Sequence, residues 1–331
     1  MAIVVALDLI GREDIGIAGG KGASLGEMIR AGLPVPAGMV VTAAAYREFL
    51  DTTGLKSRIE ALLTKSDPDA VSDNIREEFE RTAMPEKTAS EILAAVQDIP
   101  GPVAIRSSAT AEDLPSVSFA GQHETHLFVT GRDAIVSSIK KCWSSLWTGR
   151  AISYRTKNDI DHFNVLMAVV IQEMAYADVS GVMFTANPVT GDRDEIVIEA
   201  GYGLGEGLVS GKVSPDRFVV NRAPGLKITG KDLGTKGIEI LRAQDGGTLG
   251  KEVSPERSRR LCLSDEEILK LASLGLRIEG HYGYPQDIEW CLSGGRVSVV
   301  QSRPVTTLGK TGIKVYFASK KNKEALKGKL I

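Results

Sequence analysis

The sequence predicts an α+β fold, with helices concentrated in the first half, short strands in the second and a lobe boundary near residue 172. Three observations carry this. Between residues 43 and 98 apolar residues recur at helical spacing, with Tyr46, Phe49 and Leu50 on one face and Ile59, Leu62 and Leu63 on another. Later runs such as Val165–Met174 and Glu195–Glu199 are short, β-branched and bounded by Gly, Pro or Asn, the signature of strands. Near the end, Gln286–Leu292 and Arg296–Gln301 flank Ser293-Gly294-Gly295 and read as a hairpin.

Taken in order, Ala2 to Leu7 reads as a first strand, followed by a glycine cluster from Gly16 to Gly22 and a short helix over Ser24–Ala31. Pro102–Ile105 is expected as a buried strand running into Arg106-Ser107-Ser108-Ala109-Thr110. Ala134–Lys157 predicts one helix, because Ile135, Ile139, Trp143, Leu146 and Trp147 share a stripe; the tryptophans are read as core. Gly181–Thr185 and Phe218–Val220 are further strands, and the glycine-rich Gly201–Gly207 between strands is expected to be irregular. Ser264 with Glu267 forms a capping box that opens a helix with Ile268, Leu271 and Ile278 inward.

The length of 331 residues fits two domains or one large two-lobed unit. With 40 Lys+Arg against 42 Asp+Glu, the net charge of −2 argues against a nucleic-acid partner. Apolar residues at 43% and charged residues at 25% exclude disorder as the dominant state. Cys142, Cys262 and Cys291 are scattered and odd in number, which suits reduced, buried thiols. No apolar run approaches the ~20 residues of a membrane helix, and the start lacks the positive charges of a signal peptide. A cytoplasmic protein without membrane association is expected.

Four stretches could carry chemistry. Gly19-Gly20-Lys21-Gly22-Ala23-Ser24 leads into a helix, so backbone N–H groups and the Lys21 ammonium suit a phosphate; a turn with a solvated lysine suits the same residues. It is not a Walker A loop, since Ile15 stands where the first glycine is required. Gly203, Gly205 and Gly207 fail the dinucleotide fingerprint, because position 208 is Leu. Arg106, at the end of an apolar strand, needs a carboxylate or a phosphate, and Glu112 or Asp113 would serve as readily as a ligand. In the hairpin, Asp287 and Glu289 leave one face, as do Gln301 and Arg303 on the other strand. If the strands pair, hard oxygens converge beside a guanidinium, which suits Mg²⁺ next to a polyphosphate as well as a solvated charge pair. His123 and His126 point to opposite faces of a strand, so they make no metal pair.

Together these stretches resemble the ATP-binding domain of the phosphoenolpyruvate synthase and pyruvate phosphate dikinase family, which also occurs in rifampin phosphotransferase and as the separate ATP-binding subunit of phenylphosphate synthase. GGKGASLGEM, AIRSSATAEDLPSVSFAGQHET, SGVMFTANPVTG, GYGLGEGLVSGKVSPD, PQDIEW and VVQSRPVT follow the family's order between residues 19 and 307. The resemblance implies a two-lobed ATP-grasp fold with nucleotide between the lobes. One lobe would span 1–172 with a helical insertion, the second 173–308 with the Mg-binding hairpin, and 309–331 would be a basic tail. By position, Lys21, Arg106 and Arg303 match phosphate-binding cations, Gly121 and Thr125 a phosphate-contacting loop, and Gln172 a nucleotide contact at the hinge. Asp287, Glu289 and Gln301 match the catalytic and Mg²⁺-associated group, with Glu289 and Gln301 as the metal ligands.

The family's chemistry implies ATP and Mg²⁺ as cofactors, phosphorylation of a histidine on a swivelling domain and release of AMP. After Thr307 the chain runs only to Ile331, and none of His123, His126, His162 or His281 sits in the family's phosphohistidine context. A partner domain or subunit would therefore supply the histidine, with the chain a natural subunit or an excised domain. A rival of another class is a non-catalytic nucleotide sensor, against which the intact acidic hairpin speaks.

Overall fold

The computed structural model describes residues 2–64, 67–110, 124–211, 213–244 and 246–305. Among these residues a first antiparallel sheet runs in the order β1 (Val4–Ala6), β2 (Gly38–Val41), β5 (Met167–Glu173), β3 (Val103–Ala109), β4 (Thr125–Val129). Helix α1 (Ile15–Arg30) covers one face. The other carries α2 (Ala43–Thr52), α3 (Leu55–Leu63), α4 (Pro68–Arg81), α5 (Glu86–Val96), α6 (Arg132–Ser144) and α7 (Gly149–Lys157). Two-sided cover explains why β3 and β5 are buried almost throughout. Successive side chains alternate, so Val169 and Ile171 enter a core with Tyr46, Phe49, Phe79, Trp143 and Trp147, while Ala168 and Val170 meet Leu25 and Met28 of α1.

The second sheet runs β13 (Arg296–Pro304), β12 (Gln286–Ser293), β6 (Val179–Phe184), β7 (Glu195–Tyr202), β8 (Asp216–Asn221), β9 (Lys227–Asp232), all antiparallel. Beside it lie α8 (Glu206–Val209), the separate hairpin β10 (Ile238–Arg242) and β11 (Thr248–Glu252), α9 (Pro255–Ser258) and α10 (Asp265–Tyr282). The capping box at Ser264 and Glu267 forms as the sequence predicts. Leu25 and Met28 of α1 share one core with Val179, Ile198, Trp290 and Ile278, so a single helix glues both sheets. Backbone bonds reinforce the seam: Val299 N–H donates to Pro34 O at 2.8 Å, and Ser24 Oγ donates to Ser302 O at 2.8 Å.

Several expectations need correction. The helix over Ala134–Lys157 is broken: α6 ends at Ser144, a 3-10 turn follows, and Thr148 caps α7 by accepting from Ala151 N–H. Its apolar stripe is continuous across the break because both helices press on the same core, and periodicity alone cannot reveal the gap. The glycine cluster belongs to α1, which starts at Ile15 and is interrupted only at Gly19 (φ 70°), where an added Cβ would strike the Ser108 carbonyl. The Gly201–Gly207 stretch is partly regular, with β7 reaching Tyr202 and α8 starting at Glu206. Cys142 and Cys291 are buried thiols and Cys262 is half-buried, all three free. Among the described residues no helix is long and apolar enough to cross a membrane.

Candidate nucleotide site between the two sheets

The two sheets meet at a charged cluster built from β3 and the β12–β13 hairpin. The predicted hairpin forms, and its register sets Asp287 opposite Arg303 and Glu289 opposite Gln301. Its other face is anchored by Ile288, Trp290 and Val299, all buried. Between Glu289 and Trp290 the register slips, leaving Val300 as the extra residue of a bulge. That bulge aims the Val300 carbonyl at Arg106, whose Nη1 donates to it. Arg106 Nη2 is shared by two oxygens, Glu289 Oε2 and Gln301 Oε1, each at 3.3 Å. Those bonds are longer than the ~2.7–2.9 Å of a tight guanidinium–carboxylate pair.

Arg106 thus pairs across the sheets with Glu289; the alternative partners Glu112 and Asp113 lie outside the described residues. Lys21 is nearly buried, and its Nζ donates to the Ser107 carbonyl at 2.9 Å, one residue from Arg106. Ser108 completes the tie: its Oγ donates to Ala18 O and accepts from Gly22 N–H, straddling the Gly19 interruption. Helix α1 restarts there, so Gly20 and Lys21 stand at a fresh N-terminal turn.

Thr125 is the register partner of Arg106 on β4 and is exposed. Gln172 pairs with Ala104 on β3 and shares the Arg106 face, but its amide is engaged, Nε2 donating to Pro36 O at 2.9 Å. Gly121 and the tail 309–331 lie outside the described residues. Past Gln172, Ala104, Met174, Leu204 and Ile240 form a small apolar cluster with Phe128. Beside it lies a cavity of about 360 Å³ between β4, α6 and the tip of the β10–β11 hairpin.

Asp287 accepts from Arg303 Nε at 2.9 Å, yet burial raises its carboxyl above the usual aspartate range and the guanidinium only partly restores it. The Val300 carbonyl and the Ser107–Ser108 tie were not read as part of this region from the sequence. The hydroxyl-rich segment after Arg106 was a usable signal for the second; the bulge left none.

The profile of the pyruvate phosphate dikinase AMP/ATP-binding domain matches residues 15–324. The chain belongs to that family. It is 46% identical over 323 residues to the probable phosphoenolpyruvate synthase of Methanocaldococcus jannaschii, covering 94% of this chain and 27% of that protein. It is 41% identical over 317 residues to the rifampicin phosphotransferase of Bacillus subtilis, covering 93% and 36%. The chain therefore spans roughly a quarter to a third of these two relatives. A solved D-alanine–D-alanine ligase of Bacillus anthracis aligns at 10% identity with a TM-score of 0.26, covering 75% of this chain and 68% of that one. So low a score adds nothing to the fold described above.

Proposed function

We propose that this chain holds Mg-ATP between its two sheets and passes a phosphoryl group to a histidine on a partner domain or subunit, with AMP released, as expected for the phosphoenolpyruvate synthase and phenylphosphate synthase type. The carrying observation is the meeting of Arg106 with Glu289, Gln301 and the Val300 carbonyl across the inter-sheet seam. Family membership and the relatives' names support the same reading.

Lys21 and Arg106 would hold the phosphate chain, with Thr125 reaching it from β4; Gly121, outside the described residues, is proposed as a further phosphate contact. Arg303, 57% exposed, would reach the transferred group from the opposite wall. Negative charge spreads over that group in the transition state, so cations fixed in advance do most of the catalytic work. Gln172 and the apolar cluster around Ala104, Met174 and Ile240 would seat the base.

The donor set fits magnesium. Glu289 and Gln301 aim hard oxygens at one point, marked by the shared Arg106 Nη2. Magnesium takes few protein ligands and completes its shell with phosphates and water, so two side-chain oxygens would serve. When bound, the ion would neutralise phosphate charge; Asp287, kept near Glu289 by the strand, would tune the site and help hold Arg303.

The test is Arg303→Ala, assayed for AMP release from ATP with the histidine-bearing partner present. The expected outcome is loss of about 10²–10³-fold in turnover with the fold intact by circular dichroism. Unchanged turnover would overturn the assignment.

A further inference from the structure

Away from the seam, the helical layer buries a cation that no group among the described residues neutralises. Arg155 on α7 is fully buried. Its Nε donates to His162 Nδ1 at 2.9 Å, and its guanidinium carbon lies 5.1 Å from the centre of a Trp147 ring. These two contacts fix the fork. Among the described residues, no acceptor meets Nη1 or Nη2, and no carboxylate pairs with the group.

The same indole holds a second donor. Trp147 Nε1–H donates to the Tyr46 hydroxyl at 2.9 Å, so Tyr46 and Arg155 are pinned against one ring from α2 and α7. Because Tyr46 accepts there, its own O–H remains to be given. Its ring is packed by Phe79 and Trp143, leaving apolar surroundings.

Among the described residues, no neighbouring titratable group meets the Arg155 fork as a bonded negative charge. Burial pushes the Tyr46 phenol well above its ordinary value, so it stays protonated. His162 is pushed below its ordinary value by burial and accepts as a neutral ring. Asp161 is exposed, accepts from Phe163 N–H at 2.8 Å and does not bond the Arg155 fork. Arg155 itself is lowered only to about 10, so it keeps its charge at neutral pH. An isolated buried charge is costly enough that it is normally matched.

We propose that the Nη1 and Nη2 groups of Arg155, with the Tyr46 hydroxyl, form a buried site for one small halide-class anion, chloride under ordinary conditions, which clamps α7 to α2. Closely packed aromatic walls favour a monatomic ion over phosphate or a carboxylate ligand.

The full chain, crystallised from sodium bromide, should show an anomalous bromide peak at the Arg155 fork. In solution, melting should be about 2–4 °C higher in sodium bromide than in sodium gluconate at equal ionic strength. That difference should vanish in Arg155→Met and shrink in Tyr46→Phe, which keeps the charge and loses one donor. If Arg155→Met does not fold, the wild-type peak and Tyr46→Phe carry the test. Bromide confined to the surface, with only water or nothing at the fork, overturns the proposal. Equal melting in the two salts does so as well.

Discussion

Two ion pairs, Lys236–Asp216 and Arg106–Glu289, place similar charges in opposite circumstances. Lys236 and Asp216 are both fully buried and bonded directly to each other. Asp216 also accepts from Gly234 N–H at 2.8 Å and Cys262 N–H at 2.7 Å, and Lys236 donates to Gly234 O at 3.0 Å. Its capacity is spent within the protein, so the pair pins β8 to the loops on either side of the β10–β11 hairpin. At the seam, Arg106 divides one nitrogen between two oxygens at 3.3 Å, with the Glu289 side chain 21% exposed. A pair that is loose, shared and partly open can exchange partners when a phosphate or a cation arrives. Saturation of the hydrogen bonds, more than burial, separates a structural pair from one suited to a ligand.

The sharpest way to break this comparison is to cut both pairs. Asp216→Ala strands a buried ammonium and two backbone donors, and should cost about 3–5 kcal/mol in urea unfolding. Arg106→Ala should move the unfolding midpoint far less, while AMP release with the partner present falls about 10²–10³-fold. Equal losses of stability in the two variants would erase the distinction.

A smaller effect sharpens the picture at Asp287. Its folded carboxyl titrates above the ordinary value of 3.8 because burial outweighs Arg303. The folded state therefore binds the proton more tightly than the unfolded chain. The contribution of Asp287 to stability is fully present below the unfolded range and is lost as pH rises through the folded value. In Arg303→Ala the carboxyl should titrate at still higher pH, read by ¹³C NMR of the Asp287 carboxyl. A downward movement would show that Arg303 does not hold this group. The smallest effect lies in the helical layer, where Thr148→Ala removes the α7 cap and should cost about 1 kcal/mol in the same urea titration.

Much of this was legible beforehand where local pattern and local structure coincide. The β12–β13 hairpin and its predicted charged face formed because Ile288, Trp290 and Val299 bury the other face, and a one-residue slip would expose them. The capping box at Ser264 needs only neighbouring residues, so it too was readable. The strands β9 and β11 were not, because they are largely exposed and carry no alternating apolar face to detect. The break at Thr148 escaped because a stripe shared by two helices looks like one. The Glu289 partner of Arg106 was not read, since Glu112 and Asp113 lie beside Arg106 in the chain and Glu289 stands 183 residues away.

Alternation, caps and turn residues act over a few positions, so the sequence by itself determined the α+β character, the hairpin face carrying Asp287, Glu289, Gln301 and Arg303, and the motifs that mark the family. Only the tertiary structure decided that Arg106 turns to the hairpin, that a bulge frees the Val300 carbonyl to meet it, and that Asp216 is saturated by Lys236. Those outcomes depend on which distant groups burial brings within hydrogen-bond reach, and no local spacing encodes that.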